Sequence, residues 1–447
     1  MNRLGKSKGI LEILLVIGLI LVIPLFFAIR SVANAPAARS TSTAYVPSVS
    51  VSQSNPSPSS PNNAKEPPAC TFPLANITTT PSAPENYTFS EPKVVLTALQ
   101  GNLYHIAKWL PDNQQVLMTE ELGNNVPADQ INPENIELLN PVTGDVKVYA
   151  TRPSTYGLPS WDSALNAVLY PVDLNKTNNV DKSNLQLWVS YGNPDTAQML
   201  AKGLSQIPIA VKPGGDEIIY LTDKQISKLD KSLKNISPSS FDPTQWDYAK
   251  KRRSNEALLF DMAWQPGTSL IFLYSTGYMG GGGYAFILNA DTGQVCELNL
   301  GGWAFLARWS SNGQYLAISR SQEPTSMVSS TDLAVLDTVT GHLYASEVVP
   351  QELIGRHYAG DMAWAPDNRH LLVLGSAVSF PQCAPNCRED TKLYLVDFLS
   401  GQVDSVLPDR QFTANNPGTS LAWSPDSSQV IALCPALCSI SVHRSGQ

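Results

Sequence analysis

One short pattern recurs seven times in the chain: an apolar run ending in Trp or an equivalent, a polar turn, and a second apolar run. It reads "AKWLPDNQQVLMT" from Ala107, "PSWDSALNAVLYP" from Pro159, "IAVKPGGDEIIYL" from Ile209 and "MAWQPGTSLIFLY" from Met262. It continues as "ARWSSNGQYLAIS" from Ala307, "MAWAPDNRHLLVL" from Met362 and "LAWSPDSSQVIAL" from Leu421. The Trp position falls at 109, 161, 211, 264, 309, 364 and 423, with Val211 as the one substitute. A period of about 50 residues is the mark of a propeller or a solenoid, and it removes most other folds from consideration.

Each unit carries two apolar runs around a turn such as "PDN", "PGG" or "SNG", which is a β-hairpin signal. A second hairpin follows in several units, as in "IELLNPVTGDVKVY", "AFILNADTGQVCEL", "LAVLDTVTGHLYASEV" and "LYLVDFLSGQVDSVL". The turn glycine in each supplies a positive φ. Two hairpins make four antiparallel strands per unit, which favours propeller blades over the shorter turns of a solenoid. The third unit is the least regular, because "KNISPSSFDPTQWDYAKKRRSNE" stands where the glycine turn and outer strand belong.

"AWSPDSSQVIAL" and "AWAPDNRHLLVL", with the "D-x-x-[TS]-G" turns, resemble the TolB-like and WD40-like β-propellers over residues 90 to 445. The resemblance implies a fold and leaves the function open, since such propellers serve many roles. The expectation is an all-β, seven-bladed β-propeller of four-stranded antiparallel blades. The last unit runs out after "SISVH", so "PKVVLTAL" at 92–99 is expected to complete the last blade as an N-terminal closing strand. The Trp residues are read as wedges packed between blades.

The N-terminus belongs to no blade. Arg3, Lys6 and Lys8 precede an apolar run over residues 10–29, broken only by Glu12. Twenty helical residues span about 30 Å, the thickness of a bilayer core. The cationic flank keeps residues 1–9 in the cytoplasm and puts the rest outside. A cleaved signal peptide is the rival reading, on Ala33-Asn34-Ala35, but Pro36 follows directly and the run exceeds a usual signal core. Residues 30–86 are rich in Pro, Ser, Ala and Thr and read as a disordered linker, leaving 87–447 for the propeller. The localisation expected is a single-pass cell-membrane protein with an extracytoplasmic C-terminal domain.

Net charge is −8 and only 15% of residues are charged, so the chain suits no phosphate backbone and nucleic acid is not an expected partner. No nucleophile elbow, no "H-E-x-x-H" motif and no cofactor or metal signature is present. The connections between the two hairpins of a blade are long, at 120–134, 172–184, 276–283, 320–331 and 376–391. In a propeller they share one face with the blade-to-blade links. Long loops on a rigid scaffold are where binding concentrates. Asp261 and Asp361 hold equivalent positions near that mouth, either as ligand-binding groups or as caps on backbone amides. Arg356, His357 and Tyr278 are further candidates for its rim.

Six cysteines outside the membrane suit disulfides. Local pairs Cys383–Cys387 and Cys434–Cys438 are expected, with cross-pairing or a four-cysteine zinc site as alternatives. Cys70 and Cys296 would tie the linker to blade four or pair between molecules. The function expected is a protein-, peptide- or glycan-binding module. The alternative is an envelope enzyme, of glycoside hydrolase or lyase type or peptidase-associated, with its site at the channel mouth.

Overall fold

A computed structural model of the chain describes residues 68–77, 85–97, 102–123, 132–153, 157–174, 185–222, 225–230, 232–239, 259–276, 282–301, 303–321, 331–344, 359–376, 391–413 and 420–445. The expected anchor, residues 10–29, and most of the expected linker lie outside these. All described residues fall in one compact unit, 63–447.

That unit is an all-β, seven-bladed propeller of four-stranded antiparallel blades. Blade one shows the plan: Leu103–Trp109 innermost, then Val116–Glu121, Pro133–Leu139 and Val146–Pro153 outermost. The other innermost strands are Ser160–Asp162, Leu204–Val211, Leu259–Trp264, Trp303–Trp309, Ala359–Trp364 and Leu421–Trp423. Gly283 and Ala304 form a single bridge between the sheets of blades four and five.

A blade presents apolar residues on both faces because each face meets a neighbour. The described residues accordingly gather into seven apolar clusters, one at each seam around the ring. The Trp position explains why the repeat is written as it is. Trp109, Trp161, Val211, Trp264, Trp309, Trp364 and Trp423 all join the cluster shared with the preceding blade. The residue before it alternates to the following blade, as Ala210, Ala363 and Ala422 do. Two indoles also bond across their seams: Trp309 Nε1 donates to Ala263 O at 2.9 Å, and Trp364 Nε1 to Arg308 O at 2.8 Å. Each acceptor immediately precedes the Trp of the blade before.

The turns follow equally local rules. Asn140, Asn289, Asp337 and Asp397 open the second-hairpin turns, and the Oδ1 of each accepts from the backbone N–H groups two and three residues on. The closing glycines have φ between 69° and 80°. Turns of the first hairpins also bond to each other around the ring. Gln265 Nε2 donates to Gly313 O, Asn312 N to Asn368 Oδ1, and Asp426 N to Asn113 Oδ1.

Two segments ahead of blade one attach to blades far from it in sequence. Asn86–Phe89 and Lys93–Leu96 both pair antiparallel with Ala436–Ser445, on the outer side of the sheet formed by residues 421–445. The strand-like run read as 92–99 is thus a strand over 93–96, and a second strand precedes it. Residues 68–77 fall in the stretch read as linker, yet they strap blades four and five. Cys70 is disulfide-bonded to Cys296, Ala69 bridges Glu297, and Leu74 N donates to Thr338 O at 2.9 Å. Phe72 lies over Gly341, where a Cβ would meet its ring at 2.6 Å, so this turn glycine is required for space as well as for its φ of 77°. Polar composition predicted no packing here because the partners lie more than 200 residues away.

Candidate functional site

The inner wall of blades four to seven carries a connected polar group. Asp361, on the innermost strand of blade six, is completely buried. Its Oδ2 accepts from the backbone N–H groups of Ser420 and Leu421 at 2.8 Å each, at the start of the innermost strand of blade seven. Its Oδ1 accepts from Met362 N at 2.8 Å and faces Arg308 Nη2 of blade five at 3.4 Å. Burial pushes the carboxyl above the usual range, and Arg308 and the three amides pull it back only in part. One carboxylate therefore ties three consecutive blades.

Asp261 holds the equivalent position in blade four and is partly exposed. Its Oδ2 accepts from the Tyr274 hydroxyl at 2.6 Å, and its Oδ1 from Met262 N at 2.8 Å. Burial, and then the nearby Asp261 charge, holds the Tyr274 phenol well above its ordinary range. The hydroxyl is a fixed donor. Both aspartates cap backbone amides, one of the two roles their position allows.

Blade one carries a second polar group that sequence reasoning missed. Leu103, Glu121, Glu134 and Arg152 lie in one cross-strand row and share a face. Arg152 and Glu134 are both buried and paired at 2.9 Å between Nε and Oε2. The remaining guanidinium nitrogens donate to Pro171 O and Gly157 O of blade two. In the next row, His105 lies opposite Thr119, with its Nε2 3.9 Å from Glu121 Oε2. Burial lowers the His105 pKa more than Glu134 and Glu121 raise it, so its imidazole is neutral at pH 7. On the opposite face, Glu137 is buried and pairs with Met118, whose cluster meets blade seven. Burial, then Glu120, raises its carboxyl to about 7. In the sequence these acids mark only the ends of a long loop, and the strand register is what brings them together.

Among the described residues, no group of three His, Cys, Asp or Glu side chains could hold a metal ion. Cys434 and Cys438 are disulfide-bonded across the tight connection between the second and third strands of blade seven. Arg356, His357, Tyr278, Cys383 and Cys387 lie outside the described residues.

No protein-family model matches the chain. No curated protein matches it either. Solved structures do. An oligogalacturonate lyase from Vibrio parahaemolyticus aligns with a TM-score of 0.50 at 11% identity, covering 80% of this chain and 96% of that one. An oligogalacturonate lyase in complex with manganese aligns at 0.48 and 10%, covering 82% and 98%. TolB from Acinetobacter baumannii aligns at 0.40 and 11%, covering 71% and 65%. At 11% identity, the first of these likenesses bears on the propeller fold alone.

Proposed function

We propose that the protein is a membrane-tethered, extracytoplasmic propeller that binds a protein, peptide or glycan at the face carrying its long loops. One observation carries this reading: the two faces of the ring are built differently. On one face the first-hairpin turns are short in every blade and bond to each other at several seams. On the other, the connections between second and third strands are long in four of the seven blades, from Glu121 to Pro133, Asp173 to Leu185, Ser321 to Thr331 and Ser376 to Thr391. A fixed ring bearing long loops on one side is a binding scaffold.

Asp261 and Asp361 are committed to the protein's own donors, so they position the inner wall rather than contact ligand. Tyr278, Arg356 and His357 stand in or beside the long connections and are assigned to the contact surface. Residues 10–29 supply the anchor, the strands at 86–96 close the ring, and Cys383–Cys387 staples the longest connection.

The test uses the full chain in detergent, captured by crosslinking from solubilised envelope, beside a variant with residues 378–389 replaced by a short Gly-Ser linker. Partners enriched by the native chain are lost from the variant. Equal capture by both refutes the assignment of the face. External protease on intact cells is expected to cut the propeller, and protection of it refutes the topology.

A further inference from the structure

The leading segment meets the propeller in a fixed order, and among the described residues only its first joint is covalent. Cys70 is disulfide-bonded to Cys296, in the outermost strand of blade four, Val295–Leu298. Beside it, Glu297 N donates to Pro68 O and Cys70 N to Glu297 O, at 2.9 Å each. Leu74 N then reaches Thr338 O of blade five. The two strands assigned to ring closure come last, Asn86–Phe89 and Lys93–Leu96, both on the last strand of blade seven.

These joints resist a pull differently. Tension applied ahead of residue 68 loads them in chain order. Asn86–Phe89 pairs over four residues, beginning with Asn86 opposite Ser445. A strand drawn off from its first residue gives up its pairs one at a time, so few bonds resist at any moment. Lys93–Leu96 is equally short, and its register shifts between Val94 and Leu96. The Arg410–Glu91 pair between the two strands is exposed, and such pairs contribute little. The main hold is Tyr87, buried with its ring edge-on to Trp423 and His370 at 5.2 and 5.4 Å. Loss of both strands would uncover the outer edge of Ala436–Ser445.

The disulfide takes these strands off the loaded path. Cys70 and Cys296 are 226 residues apart in sequence, and the loop between them contains both closing strands and blades one to three. While blade four is folded, Cys70 cannot leave it, and tension from the N-terminal side crosses to Cys296 without reaching residues 71–96. The joint is also packed: Cys70, Phe72 and Leu74 share an apolar cluster of blades four and five with Cys296.

We propose that the Cys70–Cys296 bond is a mechanical stop, which delivers tension from the N-terminal anchor into blade four and keeps it off the strands that close the ring. The inference rests on the reading of the chain as a tethered binder, because such a module is pulled whenever its ligand is held elsewhere.

Optical-tweezer pulling on the full chain in detergent tests it, with handles on peptide tags inserted between Asn62 and Asn63 and between Tyr344 and Ala359. Residues 71–96 would release up to about 90 Å of chain at 3.3–3.6 Å each. The oxidised native protein should show no release of that size before the first blade unfolds. Cys70→Ser combined with Cys296→Ser should show it as the first event, at lower force. Native protein folded oxidised and then reduced in the trap should behave as the variant does, so the result does not depend on how the variant folds. Tyr87→Ala should lower the force of the first event in the disulfide-free protein and leave the oxidised native trace unchanged up to the first blade. An early release in the oxidised native protein, its absence from both disulfide-free forms, or an oxidised trace weakened by Tyr87→Ala overturns the proposal. Pulling reads the stop without a membrane, whereas protection from external protease refutes the tether alone.

Discussion

Glu137 should make the propeller less stable as the solution becomes more alkaline. Its side chain is buried on the face of blade one that meets blade seven, opposite Met118, whose apolar cluster spans that seam. Among the described residues no cation offsets its charge: Glu120 adds repulsion, and only a hydrogen bond from Asn135 favours the ionised form. The folded pKa is raised from 4.5 to about 7. A carboxyl whose folded pKa exceeds its unfolded one contributes stability that is complete below the unfolded value and is lost as pH rises through the folded value. The window is therefore about pH 4.5 to 7, and a shift of that size corresponds to about 3 kcal/mol. Glu137→Gln keeps the shape of the neutral acid and cannot ionise. Urea unfolding of both proteins at pH 5 and pH 8.5 isolates the effect, because every other titration cancels in the double difference. The variant should gain about 2.5 kcal/mol on the native protein between the two conditions, because pH 5 already lies just above the unfolded pKa. A double difference under about 0.5 kcal/mol, or one of opposite sign, would show that the seam solvates this carboxylate and that the burial argument is wrong.

Three further predictions concern the joints of the ring. Asp361→Ala strands the Ser420 and Leu421 amides and should cost about 2–5 kcal/mol, with faster hydrogen exchange at those two amides than at Ala432. Trp364→Phe keeps most of the wedge but loses the bond to Arg308 O, which should lower stability by about 1–2 kcal/mol in urea unfolding. Cys70→Ser should free the strap at 68–77 for limited proteolysis and remove up to about 5 kcal/mol on the chain-entropy account of a loop of this length. An uncut strap in that variant would mean that Phe72 and Leu74 hold it without the disulfide.

What could be read from the sequence was whatever each blade repeats. The Trp wedge, the turn glycines and the paired hairpins use contacts within a blade or with the next one, so each leaves a local mark that recurs along the chain: Trp in six of the seven units, and the second-hairpin glycine turn in four. What could not be read depends on single, distant pairings. Asp361 carries no local sign that its acceptors would be filled by residues 420 and 421. Phe72 looks like a stray aromatic in a polar linker until Gly341 is set beneath it. Asn86–Phe89 is too short, and too close to prolines, to read as a strand without residues 442–445 beside it. The acids of blade one are legible only once register puts Glu121, Glu134 and Arg152 in one row.

The strap and the two strands after it also set the order in which the molecule can be finished. Residues 68–96 leave the ribosome before any blade exists. Cys70 then waits for Cys296, and Asn86–Phe89 waits for residues 442–445. Blades can pack one after another as they emerge, but the leading segment stays unmated until synthesis has passed nearly the whole propeller. A product stopped short of Ala436 would display two unpaired strand edges at its front, a ready signal for the proteases that remove incomplete chains.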